Sequence, residues 1–372
     1  MKIAVFYNLD FGGAKRAVFE QTKRLKERGH TVDVYTTDKN LDYFDLKSVS
    51  NNFYYFKFNL LERKIPFLGR FINDFKTLYS LNKLHKKIAL EIDNKKYDIC
   101  LVHPDKISQA PFVLMHLRTK NVYYCQEPLR IVYEYNFRAK KDTTLKYLYE
   151  QITRSIRKKI DIVNVRNATF TIASCYHVRE RMIEAYGVYP RVSYLGIDQN
   201  VFNPIDVKKK NQVFFVGNRE VINDGFDLLK TAVDLIPKKI RPSIKMVSWV
   251  KENNQRSADI DLVKEYSRSL AVICPNRLET FGLVPLEAMA CGVGVIATNV
   301  SGHRETVING KTGFLTDFDA QEISDRILGL LKNPKLARDL GKEGRKHVEK
   351  HWTWDEKIKE LDKLLLDLAK TK

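Results

Sequence analysis

Cysteine is scarce in this chain, and long apolar runs are missing. The five cysteines (Cys100, Cys125, Cys175, Cys274 and Cys291) are scattered, odd in number and never arranged as Cys-x-x-Cys. That argues against a disulfide framework and predicts reduced core residues of a cytoplasmic protein. No window holds eighteen apolar residues, so no transmembrane helix is expected. The N-terminal run Met1–Tyr7 is too short for a signal peptide, lacks a cleavage site, and reads as a first strand. The strings H-E-x-x-H, G-x-S-x-G and G-x-G-x-x-G are absent, which removes the common metalloprotease, serine-hydrolase and dinucleotide signatures. There is no solenoid repeat and no low-complexity tract.

What is present suits a globular protein of two or three domains: 372 residues, 44% hydrophobic and 11% aromatic. The formal charge of +19 is uneven. Residues 60–97 carry nine Lys/Arg against four Asp/Glu, and residues 129–167 carry ten against four. A basic first half could meet an anionic membrane surface, nucleic acid or a phosphorylated acceptor, or be a lysine-rich solvated face. No nucleic-acid module accompanies the charge, so no specific nucleic-acid partner is expected.

Strand-like and helix-like segments alternate, which predicts an α/β protein. The first series runs from Met1–Tyr7 through Thr31–Thr36, Tyr97–His103 and Asn121–Cys125 to Ala168–Ala173. Helical spacing is read for residues 14–25 and 71–88. Leu195 to Pro204 reads as a linker. A second series follows, with strands at Gln212–Val216, Ser243–Val247, Ala271–Cys274, Gly294–Ala297 and Gly313–Leu315, and a helix over Asp227–Leu235. Ile358, Leu361, Leu364, Leu365 and Leu368 give the tail its own helix. The expected architecture is two Rossmann-like domains facing across a cleft: residues 1–195, residues 196–350, and a terminal segment 351–372.

The most informative segment is Glu279-Thr280-Phe281-Gly282-Leu283-Val284-Pro285-Leu286-Glu287, running on into Ala-Met-Ala-Cys-Gly. Pro285 suits an early helical position and Gly292 a stop. The loop before such a helix offers backbone N–H groups and a positive dipole end to phosphate. Acids in so apolar a segment need partners, and flanking carboxylates can accept hydrogen bonds from sugar and ribose hydroxyls. Gly12 and Gly13 form a turn between first strand and first helix, where backbone can approach a phosphate or simply turn. Gly217-Asn218-Arg219 closes a strand, where arginine can hold a diphosphate or lie on the surface. His103, at a strand end, either lines the cleft or is a satisfied loop histidine. Asp259-Ile260-Asp261 and Asp317-Phe318-Asp319 spell the D-x-D pattern, which also arises by chance in acidic loops.

Taken together these residues resemble the retaining glycosyltransferases of family 4, with the GT-B fold. The similarity is most specific over 271–315: the Glu279–Glu287 string, then Gly302-His303-Arg304-Glu305 and Asn309-Gly310-Lys311-Thr312-Gly313. Gly12-Gly13-Ala14 and Tyr194-Leu195-Gly196-Ile197-Asp198 add to it. The resemblance implies that Glu279 contacts hydroxyls of the transferred sugar and Glu287 the ribose. It implies that backbone at Thr280, Phe281, Gly282 and Leu283 holds the diphosphate, with Gly217 and Arg219 beside it and Gly12–Gly13 closing from the first domain. The first domain would take a glycan or lipid-linked acceptor and the second the nucleotide sugar. The terminal helix would cross back onto the first domain. No metal and no cofactor beyond the donor would be needed, and no protein nucleophile is implied.

Three positions depart from the family pattern. Asp224 stands where a phosphate-binding lysine is common, and it should weaken donor binding unless it points away. Gln126 replaces a histidine beside the donor sugar and cannot titrate near neutral pH. The glycine segment that cradles the base is not evident around Trp249 to Asn254. The reading is a cytoplasmic transferase, either free or peripheral on the inner membrane face; the alternative is a degenerate member that binds a glycan or partner without turnover.

Overall fold

A computed structural model describes residues 1–39, 43–59, 68–133, 144–248 and 259–371. The chain forms two compact units, residues 1–194 with 358–372, and residues 195–357.

Unit 1 carries a seven-stranded sheet of β1 (Lys2–Asn8), β2 (Thr31–Thr36), β3 (Asn52–Tyr55), β4 (Ile99–Asp105), β5 (Asn121–Cys125), β6 (Phe170–Ala173) and β7 (Arg191–Val192), in the order β3-β2-β1-β4-β5-β6-β7. Every pairing is parallel, with Ile3 opposite both Val32 and Ile99. Parallel strands are covered on both faces and so read as continuous apolar runs. Ile3 through Tyr7 and Ile99 through Val102 are all buried. The helices of this unit are α1 (Gly13–Glu27), α2 (Leu46–Val49), α3 (Leu68–Asn94), α4 (Val113–His116), α5 (Arg130–Tyr133), α6 (Thr144–Arg166) and α7 (Tyr176–Tyr186). The edge strands β3 and β7 are not foreseen in the sequence. Each pairs on one side only, so neither needs an unbroken apolar run.

Unit 2 has a five-stranded sheet of β8 (Gln212–Val216), β9 (Ser243–Val247), β10 (Ala271–Cys274), β11 (Val295–Thr298) and β12 (Gly313–Thr316), in the order β12-β11-β10-β8-β9, again all parallel. Its helices are α8 (Phe226–Asp234), α9 (Asp259–Arg268), α10 (Leu283–Ala290), α11 (His303–Thr306), α12 (Ala320–Lys332) and α13 (Pro334–His351). Val213, Phe215, Leu229, Ile273, Ile296 and Ile327 anchor its core. α13 crosses α10 at two glycines. A Cβ on Gly341 would stand 2.1 Å from the Gly292 carbonyl oxygen, and one on Gly344 would stand 2.9 Å from Met289 Cγ.

The segment read as a linker is packed. Ile197 N–H donates to the Trp352 carbonyl at 2.7 Å, Trp354 N–H donates to the Ile197 carbonyl at 3.1 Å, and Phe202 is buried with its ring 6.4 Å from that of Tyr266. These pairings hold residues up to 357 in unit 2, so the change of unit falls inside the last helix, α14 (Trp354–Lys370). Beyond it, Asp362 accepts from Arg28 Nε at 2.6 Å and lies 2.7 Å from His30 Nε2, and Lys120 Nζ donates to the Ala369 carbonyl. The terminal helix thus returns to unit 1. All five cysteines are buried, and none forms a disulfide. Among the described residues no helix is long and apolar enough to cross a membrane.

Candidate active site

In unit 2 the carboxyl ends of β8 and β10 deliver two loops that bind each other. β8 runs fully buried to Gly217, whose N–H donates to the Val247 carbonyl at 3.0 Å. The chain then turns through Asn218, the exposed Arg219 and a single 3-10 turn, Ile222–Asp224. Gly225 follows at φ +74°, with its ideal Cβ only 1.9 Å from the Pro275 carbonyl oxygen, so no side chain fits there. Arg277 completes the link. Its N–H donates to the Asn223 carbonyl at 2.8 Å, its Nη2 to Asp227 at 2.6 Å, and its guanidinium lies 4.1 Å from the Phe318 ring centroid.

The β10 loop leads into the Glu279 segment. Asn276 Nδ2 donates to Glu279 Oε2 at 3.4 Å, and Thr298 Oγ1 holds the Asn276 carbonyl at 2.5 Å. The Glu279 carbonyl accepts from Gly302 N–H at 3.2 Å. Glu279 and Thr280 are half-buried. Phe281 is buried, its ring 5.9 Å from that of Trp352. Gly282 caps α10 in the left-handed conformation (φ +90°), and Leu283 is the first helical residue. The first turn of a helix carries N–H groups without intrahelical partners and the positive end of the dipole, the arrangement that receives phosphate.

Glu287 is buried and partnered, as an acid in so apolar a segment needs to be. It is only 2% exposed, and its Oε2 accepts a 2.7 Å hydrogen bond from the Tyr266 hydroxyl on α9. Burial first, and the Glu287 carboxylate second, push the Tyr266 phenol well above its ordinary value, so the hydroxyl remains a donor. One oxygen of the second glutamate is thus held by a core partner on α9.

Asp224 is also turned inward. Its Oδ2 accepts from Asn218 N–H at 2.6 Å and would stand 3.1 Å from a Cβ on Gly217. His303, on α11, was not singled out among the site residues. Its ring is buried beside Gly282, with Nδ1 3.0 Å from the Thr298 carbonyl, which can only accept. Nδ1 is therefore protonated and Nε2 is a bare acceptor; burial lowers the pKa to about 4.

In unit 1 the structure brings Gln126 to the glycine turn. Its Nε2 donates to the Ala14 carbonyl at 3.1 Å, directly after Gly12 and Gly13 at the start of α1. Lys15, fully buried on α1, reaches Asp38 at 2.5 Å. His103 lies inside β4 rather than at its end. It is fully buried beside Tyr124, neither ring nitrogen has a hydrogen-bond partner among the described residues, and burial lowers its pKa to about 3. The buried run Ile99–Asp105 continues through His103, so its ring belongs to the core of unit 1. Asp319 of the second D-x-D caps α12 through the N–H groups of Gln321 and Glu322. Trp249 to Asn254 lie outside the described residues.

The family model for Glycosyltransferase Family 4 matches residues 11–201, just over half of the chain, and that for Glycosyl transferases group 1 matches residues 253–347. The chain belongs to glycosyltransferase family 4. Alpha-maltose-1-phosphate synthase of Mycolicibacterium smegmatis is 34% identical over 95 residues, 24% of each chain. The chain spans between 24 and 38% of the length of this and the next strongest curated relatives. Alpha-1,3/1,6-mannosyltransferase ALG2 of Dictyostelium discoideum is 22% identical, with 94% of each chain covered. The structure of HepE from Anabaena in complex with UDP-glucose superposes with a TM-score of 0.68 at 16% identity, covering 99% of this chain and all of that one. At that identity the likeness bears on the fold, which is GT-B. In this family-4 glycosyltransferase the loops around Gly217, Glu279 and Gly282 come together in unit 2, and Gln126 joins Gly12–Gly13 in unit 1.

Proposed function

We propose that this glycosyltransferase moves a hexose from a nucleotide-diphosphate sugar to a hydroxyl of a glycan or lipid-linked acceptor of the cell-envelope type. Unit 2 takes the donor and unit 1 the acceptor. The carrying observation is the cross-tied pair of loops, Gly217–Gly225 with Pro275–Gly282, which presents the α10 N-terminus at the carboxyl ends of a parallel sheet. In open parallel sheets that end is where ligands bind. The first turn of α10 and Arg219 receive the diphosphate, and Glu279 accepts from hydroxyls of the transferred sugar.

In the proposed step the acceptor oxygen bonds to the anomeric carbon on the face from which the diphosphate departs, so configuration is retained. The bond from that carbon to the phosphate oxygen breaks, and the acceptor proton passes to the departing phosphate oxygen. The developing charge falls on backbone N–H groups and a guanidinium, so no metal ion is called for. Binding at an anionic membrane surface is supported by the basic charge of the first half and by an apolar hollow of about 400 Å³ in unit 1, whose lining includes Phe75, Tyr79, Met115, Val163 and Lys159. Tyr79 is 71% exposed.

A second reading, a glycan- or partner-binding protein without turnover, is favoured by the Asp224 carboxylate on the loop expected to meet phosphate. Thermal melts with UDP, GDP, ADP and dTDP, each with and without an attached sugar, separate the two. A rise with one nucleotide, followed by sugar release that fails in Glu279→Ala, supports the transferase. No rise at millimolar ligand gives the second reading the lead.

A further inference from the structure

Unit 2 has a cavity of about 600 Å³ at the end of α10 remote from Gly282, where Gly292 and Val293 leave the helix. Pro204, Leu270, Val293, Pro334 and Ala337 make much of its wall apolar. The rest is basic. Lys209, Lys210, Arg338, Lys342, Arg345 and Lys346 line it, and no Asp or Glu does among the described residues.

Three of these cations have protein partners. Lys209 Nζ donates to the Ser269 carbonyl at 3.0 Å, Lys346 pairs with Glu343 at 2.8 Å, and Arg345 serves the Phe202 and Ala290 carbonyls and Glu349. Lys210, Arg338 and Lys342 have no side-chain partner among the described residues. The acids of α13 are each paired: Asp339 with Lys335, and Glu343 and Glu349 with the cavity's own Lys346 and Arg345. Arg338 and Lys342 stand one helical turn apart, a like-charge spacing that opposes the helix. A concave site lined by one sign of charge concentrates counter-ions, and its volume matches that of small-ligand pockets, about 300–1,000 Å³.

We propose that this cavity binds a phosphorylated molecule with an apolar portion, its phosphate held by Lys210, Arg338 and Lys342 and its apolar part against Leu270, Val293 and Ala337. Guanidinium takes phosphate bidentately, with ammonium groups as point charges beside it. The phosphate could belong to a soluble phosphoester or to a phospholipid headgroup.

The test titrates the full-length protein with inorganic phosphate, with phenyl phosphate, and with vesicles of phosphatidic acid in phosphatidylcholine. Saturating UDP is included in a parallel set, so that a phosphate bound at the donor loops is counted separately. Phenyl phosphate should bind more tightly than inorganic phosphate, because the apolar wall adds contact. The triple variant K210A/R338A/K342A should lose about tenfold or more of that binding, while Arg338→Lys, which keeps the charge and gives up the bidentate contact, loses a smaller part. Its nucleotide-induced stabilisation should match the parent's, so failure of the donor-site reading and failure of this one are told apart. Phenyl phosphate binding without vesicle binding assigns the soluble source, and vesicle binding lost in the triple variant assigns the headgroup. All three substituted side chains are exposed, and a melting temperature at or above the parent's certifies folding. Equal binding by parent and triple variant, or no binding of any probe at millimolar concentration, would overturn the site.

Discussion

The Tyr266 hydroxyl and Glu287 Oε2 form a 2.7 Å hydrogen bond between two side chains that are both buried. It ties α9 to α10 in the core of unit 2. A buried carboxylate deprived of its donor keeps its desolvation penalty, about 1–3 kcal/mol or more for a charged group. Tyr266→Phe should therefore lower stability by an amount of that order in urea unfolding. Adding Glu287→Gln should restore part of the loss, since the amide has no charge to strand. Identical midpoints for Tyr266→Phe and the parent would show the bond to be energetically idle.

Glu279 is half-buried in a loop, so its loss should cost function rather than fold. Glu279→Gln is expected to melt within a degree or two of the parent, while sugar transfer or release falls by about 100-fold or more, the scale of a lost transition-state contact. Undiminished turnover would move the sugar site elsewhere.

Asp224 gives a test with two opposite signs. Asp224→Ala removes a negative charge from the loop expected to meet the diphosphate, and also strands the Asn218 N–H that it accepts from. Nucleoside diphosphate should bind several-fold more tightly to this variant, while its melting temperature drops. Asp224→Asn keeps an acceptor and should gain affinity at a smaller loss of stability. Weaker nucleotide binding in both would mean that Asp224 shapes the loop and its charge is immaterial.

Acid should unfold this protein early. His103 has its pKa lowered to about 3, and His85 and His303 to about 4, each chiefly by burial. Above about pH 6.5 such a ring is neutral folded or unfolded. Below it the unfolded chain takes up protons that the fold refuses, so stability falls by about 1.4 kcal/mol per pH unit per histidine. Asp161 works the other way. Burial raises its pKa to about 6, so its contribution is present in acid and is lost as pH rises from about 4 to 6. Three histidines outweigh one aspartate, and stability should climb from pH 4 to 6.5. His103→Phe should flatten that climb in urea titrations at stepped pH; an unchanged slope would place the acid response elsewhere.

The strands were largely legible in the sequence. Thr31–Thr36, Asn121–Cys125, Gln212–Val216, Ser243–Val247 and Ala271–Cys274 are read from the sequence with the bounds they have in the fold. Most are short apolar runs closed by turn or charged residues, which is what two covered faces demand. The edge strands Asn52–Tyr55 and Arg191–Val192 escaped because pairing on one side leaves no such run. At the site, the Glu279 segment and the Gly217 turn carry a local signature. The Tyr266 partner of Glu287, 21 residues away, carries none. The contact of Gly225 with Pro275 is equally silent, since a glycine reports only that something lies close, never what. His103-Pro104-Asp105 reads as a strand end and β4 does close at Asp105, but nothing local to His103 announces that its ring is buried.

Gly341 lies so near the Gly292 carbonyl that a methyl group cannot be inserted. α13 and the turn that ends α10 are consequently in direct backbone contact, with no space between them for a side chain. A methyl forced in at position 341 must push the Gly292 turn, and with it the end of α10 that the turn closes, away from α13.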